Sequence, residues 1–280
     1  MPYMHMMLQA RTTLQTYLMH LQSEGRITFT RAEAIAALGL TEGAFLKAAA
    51  RLQRRGLLLN PRQGFYVAVP PQYLSWGAPP PAWYIDALMH HEDRPYYVGL
   101  LKAAELHGAT HQAVIEFQVV TDRQLPRIRA GRSFITFHYR KDLKAVRDAL
   151  RPHKTDTGSM MVSSPELTAL DLVRYSHAAG GLDAVATILV DLGETLDDAK
   201  LASLAAHFER AVVQRLGYLL ERLGHGARAE LLHEVLVAEG RVPWTALEPA
   251  KRGAARPAQS PVERNERWHV AVQRHPDIDQ

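Results

Sequence analysis

The sequence predicts an α+β protein: an N-terminal winged helix-turn-helix plus a C-terminal domain with a small, mainly antiparallel sheet and a helical bundle. Three observations predict it. The first 70 residues run helix, helix, short Gly-containing turn, helix, hairpin. Alternating apolar segments occupy residues 113–120, 133–140 and 159–164. From Ser164 onward the pattern becomes helical. A length of 280 residues suggests about two domains. They are placed at 1–75 and 76–280, with the Pro- and aromatic-rich stretch PPQYLSWGAPPP (70–81) as a stiff connector.

Each element has a local reason. Leu14, Tyr17, Leu18 and Leu21 repeat at i, i+3, i+4 and i+7, so a first helix ends near Gly25. Ile27 to Phe29 is a short β-prone link. Thr30 followed by Glu33 forms a capping box for a second helix, which has Ala34, Ile35 and Leu38 on its apolar face and Gly39 at its C-cap. Thr41 starts a third helix with Phe45, Ala48, Ala49 and Leu52 on one face, and Gly56 stops it. LLL (57–59) and FYVAV (65–69) read as strands joined by the turn Asn60-Pro61-Arg62-Gln63-Gly64. In the second domain a helix is expected from Gly99 to His107. Ser164 with Pro165 starts the helical half, residues 249–263 read as loose, and ERWHVAV (266–272) as a closing strand. The stripe Val212, Val213, Leu216, Leu219, Leu220 and Leu223 is read as core, with a partner-helix face as the sharper alternative.

Composition excludes several classes. Hydrophobic residues make up 47%, enough for real cores, yet no apolar run approaches the roughly 20 residues that span a bilayer. The N-terminal segment lacks the pattern of a secretory signal. The absence of cysteine removes disulfides, thiolate zinc sites and Cys nucleophiles. A cytoplasmic location is expected. The formal net charge is +4 but uneven: residues 1–75 carry eight Lys/Arg and three acids, and the remainder is close to neutral. A basic N-terminal unit suits a polyanion.

The third helix carries the sharpest signal. With Phe45, Ala48, Ala49 and Leu52 inward, Gly43, Lys47, Ala50 and Arg54 point outward and Arg51 lies to one side. A small, basic face fits a major groove about 12 Å wide. The candidate DNA-binding residues are Thr41, Lys47, Arg51, Arg54, Arg55, Arg62 and Gln63, the last two on the hairpin tip. The plainer reading is a solvated charged face. Other clusters point to chemistry less strongly. His107 and His111 share an i, i+4 spacing, but Gly108 ends the helix between them. His90-His91-Glu92-Asp93 reads as a polar helix end. Glu166, Asp171, Asp183, Asp191, Glu194, Asp197 and Asp198 sit at helix starts or on polar faces, and no phosphate-gripping glycine loop or Gly-x-Ser-x-Gly occurs. No catalytic residue, metal site or cofactor is expected.

YYVGLLKAAELHGATHQ, FQVVTDRQLPRIRAGRSFITF, SSPELTALDLVRYSHAAGGLDAVATIL and AVVQRLGYLLERLG together resemble the AbiEi family of antitoxins, over nearly the whole chain. The resemblance implies a non-enzymatic antitoxin of a type IV toxin–antitoxin system, also met in phage abortive infection. Its winged helix-turn-helix would bind inverted repeats in the operon's own promoter as a repressor. Its C-terminal domain would neutralise a nucleotidyltransferase-like toxin without a stable complex. Two inverted sites call for two copies, as a preformed dimer or as monomers pairing on DNA. Two alternatives stay open: a divalent-dependent nuclease or nucleotidyltransferase using Glu116, Asp122 and Asp171, and a module whose basic wing binds an acidic protein.

Overall fold

Three short helices and a three-stranded sheet make up the N-terminal unit of the computed structural model, which describes residues 13–110, 114–238, 240–248 and 260–278. Helix α1 (Leu14–Ser23) is capped by Thr13, whose side chain accepts from the Thr16 amide. Strand β1 (Thr28–Thr30) leads into α2 (Arg31–Leu38), where the reciprocal Thr30–Glu33 capping box forms and Gly39 closes the helix in the left-handed region at φ 58°. Helix α3 (Glu42–Arg54) follows, then β2 (Leu58–Arg62) and β3 (Phe65–Ala68). The link at 27–29 is thus a third strand, and the sheet order is β1-β3-β2, antiparallel throughout. The five-residue turn expected from Asn60 to Gly64 is shorter. The strand continues through Pro61 with a bulge between Leu59 and Arg62, and the chain reverses at Gln63-Gly64. Leu14, Leu18, Leu21, Phe29, Ala34, Phe45, Ala49, Leu52 and Tyr66 form this unit's core.

The connector is packed rather than free. Residues 70–83 form two single 3-10 turns, Ala78 is buried, and the backbone at Gly77 touches that at Gly131. A Cβ at Gly131 would land on the Trp76 carbonyl, which makes glycine obligatory in that turn. Ile27, Phe65 and Val67 of the N-terminal unit share a second cluster with Tyr84, Leu88, Val119 and Ile135. A cut near residue 75 passes through this shared cluster.

Beyond it come α4 (Ile85–His91), β4 (Tyr96–Val98), α5 (Leu100–Leu106), β5 (Glu116–Thr121), β6 (Ile128–Ala130), β7 (Ser133–Tyr139), β8 (Leu150–Thr155) and β9 (Gly158–Ser163). The sheet has six strands in the order β6-β7-β5-β4-β9-β8. It is larger and more mixed than expected: β4–β5, β6–β7 and β8–β9 are antiparallel, but β5–β7 and β4–β9 are parallel. Strand alternation builds two cores from one sheet. Tyr96, Val98, Phe117 and Val119 face the N-terminal unit and α4, while Tyr97 and Val120 face the helices.

The helical layer is α6 (Pro165–Arg174), α7 (Leu182–Glu194), α8 (Asp198–Ala205), α9 (Arg210–Arg222) and α10 (Gly226–Ala238). Ser164 caps α6 with Pro165 in its first turn, as the sequence signals. The α9 stripe Val212, Val213, Leu216, Leu219 and Leu220 is buried, and Leu223 packs partly against the same core. A small sheet of β10 (Thr245–Ala246), β11 (Glu263–Asn265) and β12 (Val270–Val272) lies on this layer. Fully buried Trp268 presses on α9 where Gly217 leaves room, since a Cβ there would sit inside the indole. Most of the 249–263 stretch and His111 lie outside the described residues.

Candidate nucleic-acid interface

Helix α3 is oriented by its aromatic anchor. Phe45 is fully buried and meets Tyr66 edge-on at 5.2 Å, and Tyr66 stacks on Phe29 at 5.5 Å. The Thr41 hydroxyl caps the helix by accepting from the Ala44 amide at 3.3 Å, which leaves its O–H as a donor. Arg31 at the start of α2 pairs with Glu42 at the start of α3 at 2.7 Å, fixing one helix against the other.

With Phe45, Ala49 and Leu52 inward, Gly43, Lys47, Ala50, Arg51 and Arg54 are exposed on the other side. The Arg54 Nε donates only to the Ala50 carbonyl, at 3.4 Å. Among the described residues no carboxylate lies within ion-pair distance of Lys47, Arg51, Arg54 or Arg55. A cleft of about 500 Å³ runs between the start of α1 and the end of α3, with Thr13 and Gln15 on one wall and Arg51, Arg54 and Arg55 on the other. Arg55 Nη1 donates to Gln15 Oε1 at 3.1 Å. Gln15 was not legible as part of this face, because the periodicity of α1 identifies only its apolar side.

The hairpin tip departs from expectation. Arg62 does not project into solvent. Its Nη2 donates to the Pro126 carbonyl at 2.6 Å, its Nε lies 3.6 Å from Glu92, and its guanidinium sits over the Phe137 ring at 5.5 Å. Burial lowers its pKa from the ordinary arginine value, with Glu92 opposing. Gln63 keeps an exposed side chain, but its carbonyl accepts from His91 Nε2 at 3.0 Å. The β2–β3 turn therefore docks on the six-stranded sheet domain. Arg62 is removed from the set of accessible cations because Pro126 and Glu92 satisfy it within the chain.

The carboxylates of the second domain are mostly structural. Asp171 is fully buried. It accepts from Tyr97 Oη at 2.6 Å and from Arg140 Nη1 at 3.4 Å. Burial pushes its carboxyl up to about 6, against the downward pull of Tyr97 and Arg140. Asp183 binds Arg274 at 2.6 Å, Asp197 caps α8, and Asp198 pairs with Arg228 at 3.3 Å. Asp122 lies 3.9 Å from Arg94. Asp171, the centre of the nuclease alternative, is therefore a buried bracing group held by Tyr97 and Arg140. His107 Nε2 bonds the Ser163 carbonyl at 2.8 Å, and burial lowers its pKa. Among the described residues no three His, Asp or Glu side chains converge on a possible metal position.

The motif stretches of the second domain meet one another. Tyr97 of YYVGLL reaches Asp171 of SSPELTALDLVRY, and Ser163 Oγ donates to the Val98 carbonyl at 3.4 Å. Gly99 lies where a Cβ would crowd Tyr97 at 3.1 Å and Val120 at 3.2 Å. Both stretches thus carry the joint between the sheet and α6. Residues 97–222 match the family model described as the AbiEi antitoxin C-terminal domain. Over that stretch the chain is similar to AbiEi antitoxins. The match supports an antitoxin role in a toxin–antitoxin system. The crystal structure of the RV2827C protein from Mycobacterium tuberculosis shares the fold, with a TM-score of 0.64 at 17% identity over 91% of this chain and 89% of that one. Among curated proteins none is similar enough to count as a match. No helix among the described residues is long and apolar enough to cross a membrane.

Proposed function

We propose that this protein is an AbiEi antitoxin and a non-enzymatic, DNA-binding autorepressor of a type IV toxin–antitoxin operon, acting in the cytoplasm. Its N-terminal unit, residues 1–75, acts as a winged helix-turn-helix that lays α3 in the major groove of inverted repeats in its own promoter. Its C-terminal domain counters a nucleotidyltransferase-like toxin without a stable complex. The observation that supports the DNA role is the exposed face of α3, where Lys47, Arg51 and Arg54 stand without carboxylate partners among the described residues, above a rigid aromatic anchor. Unpaired cations on a fixed helix match a phosphate-lined groove better than water alone requires. Thr41 and Arg55 flank that face as backbone contacts.

The test is fluorescence anisotropy of the full chain on a duplex of its own upstream region, across a salt series. Lys47→Ala and Arg54→Ala are expected to weaken binding by about 1–3 kcal/mol each where they read base edges, with relaxed sequence preference. A phosphate contact instead weakens all duplexes alike and lowers the salt slope by about one unit. Binding unchanged in the double variant would exclude α3 from the interface.

A further inference from the structure

The docking of the β2–β3 turn raises the question of what lies beside α3 in its place. Arg62 is held by the carbonyl of Pro126, and Pro126 belongs to the segment Asp122–Arg132 that leads through β6 to the β6–β7 turn. This segment carries Arg123, Arg127, Arg129 and Arg132 against one acid, a local charge of +3 hidden by the near-neutral balance of the second domain. All four arginines are exposed, whereas Asp122 is partly covered and faces Arg94. Among the described residues none of the four has a carboxylate within ion-pair distance.

Two of these guanidiniums are also pre-positioned. Arg127 lies over the Phe134 ring at 4.4 Å, and Arg132 over the exposed ring of Trp76 at 5.6 Å. Arg129 Nε bonds the Gly131 carbonyl at 3.2 Å. The turn that holds Arg132 is locked by the close approach of Gly131 to Trp76 and Gly77. Stacked guanidiniums lose little rotamer freedom on meeting a phosphate. Helix α3 packs on β2, and β2 packs on β6, so the elements that carry the two cationic surfaces are linked through β2, whose end Arg62 anchors.

We propose that the arginine hairpin of residues 122–132 is a second phosphate-contacting surface, taking the place of the β2–β3 turn when the protein binds duplex DNA. The proposal rests on α3 being the primary DNA contact. Because the hairpin touches backbone and not base edges, it adds affinity without sequence preference. Trp76 shields one side of Arg132 and leaves the charge facing solvent.

The experiment compares the full chain with the triple variant Arg127→Gln/Arg129→Gln/Arg132→Gln on two duplexes of equal length, one from its own upstream region and one scrambled. The triple variant is expected to bind both more weakly by the same factor, with a log–log salt slope smaller by about two to three units. The corresponding triple lysine variant is expected to recover most of the slope, since the charge returns. If the glutamine triple loses its thermal transition, the single Arg129→Gln is read instead, with an expected loss of about one unit. A slope equal to wild type in a folded glutamine variant, while the Lys47→Ala/Arg54→Ala variant loses binding, overturns the hairpin and leaves the α3 reading intact. A wild-type chain that binds neither duplex overturns both.

Discussion

Helix α3 and the β2–β3 turn are a few residues apart in sequence, carry the same kind of charge, and put it to opposite uses. Lys47, Arg51 and Arg54 stand on an exposed face with no acid among the described residues within ion-pair distance. Arg62 is drawn into the body of the protein by a carbonyl, a carboxylate and an aromatic ring. Arg140 extends the second pattern, being 3% exposed and holding Asp171, the Asp142 carbonyl and the His207 carbonyl. The difference shows that local charge identifies a basic region, while the neighbours of each guanidinium decide whether it faces outward or braces the fold.

The contrast can be broken most severely at Arg140. Arg140→Met is expected to cost about 3–5 kcal/mol of stability, because it strands a buried carboxylate, as read by chemical denaturation at neutral pH. A loss under 1 kcal/mol would mean that Asp171 tolerates isolation. The paired test is Asp171→Asn. The folded pKa of Asp171 is raised to about 6 from an ordinary 3.8. The native state therefore holds a proton that the unfolded chain releases, and this contribution is fully present below about pH 3.8 and lost as pH rises through about 6. Two units correspond to about 3 kcal/mol. Wild type should lose stability relative to Asp171→Asn between pH 4 and 6, and parallel pH profiles would contradict the raised value.

Arg62→Ala sharpens the comparison from the other side. It should lower stability by about 1–3 kcal/mol through its lost charge-assisted bonds and leave the DNA salt slope unchanged, the reverse of Lys47→Ala. A reduced slope would return the tip to the interface. Removing residues 1–75 should also destabilise the remainder, since Ile27, Phe65 and Val67 cover part of the sheet's core; an unaltered melting transition in the fragment would refute that. The smallest effect is expected for Arg55→Ala, where an exposed bond to Gln15 is lost and stability should move by no more than about 0.5 kcal/mol.

Legibility followed how local the causes were. The capping box at Thr30 and Glu33, the left-handed Gly39, the Thr41 cap and the Ser164-Pro165 start were all readable, because each depends on residues within one turn. The inward face of α3 was readable from its period. The strands Ile128–Ala130 and Leu150–Thr155 were missed. The second has an exposed, polar face and contains Pro152, so it resembles a loop until Gly158–Ser163 pairs with it. The parallel pairing of β5 with β7 has no local signature. Of the expected site, Lys47, Arg51, Arg54, Arg55 and Thr41 lie on or beside one surface, and Arg62 does not. Its partners, Pro126 and Glu92, are distant in sequence, so no spacing rule announces them.

Trp268 gives this architecture a built-in optical reporter. Of the four tryptophans it is fully buried, set against His233 and bonded through Nε1 to Glu221, whereas Trp76 and Trp244 are partly open to water. It lies well past residue 222, where the matched antitoxin domain ends, yet it seals that domain's last helix at Gly217. A fragment trimmed at the family boundary would leave that seat on the helix empty, and in the full chain the loss of a blue-shifted emission band would register any detachment of Trp268 from α9.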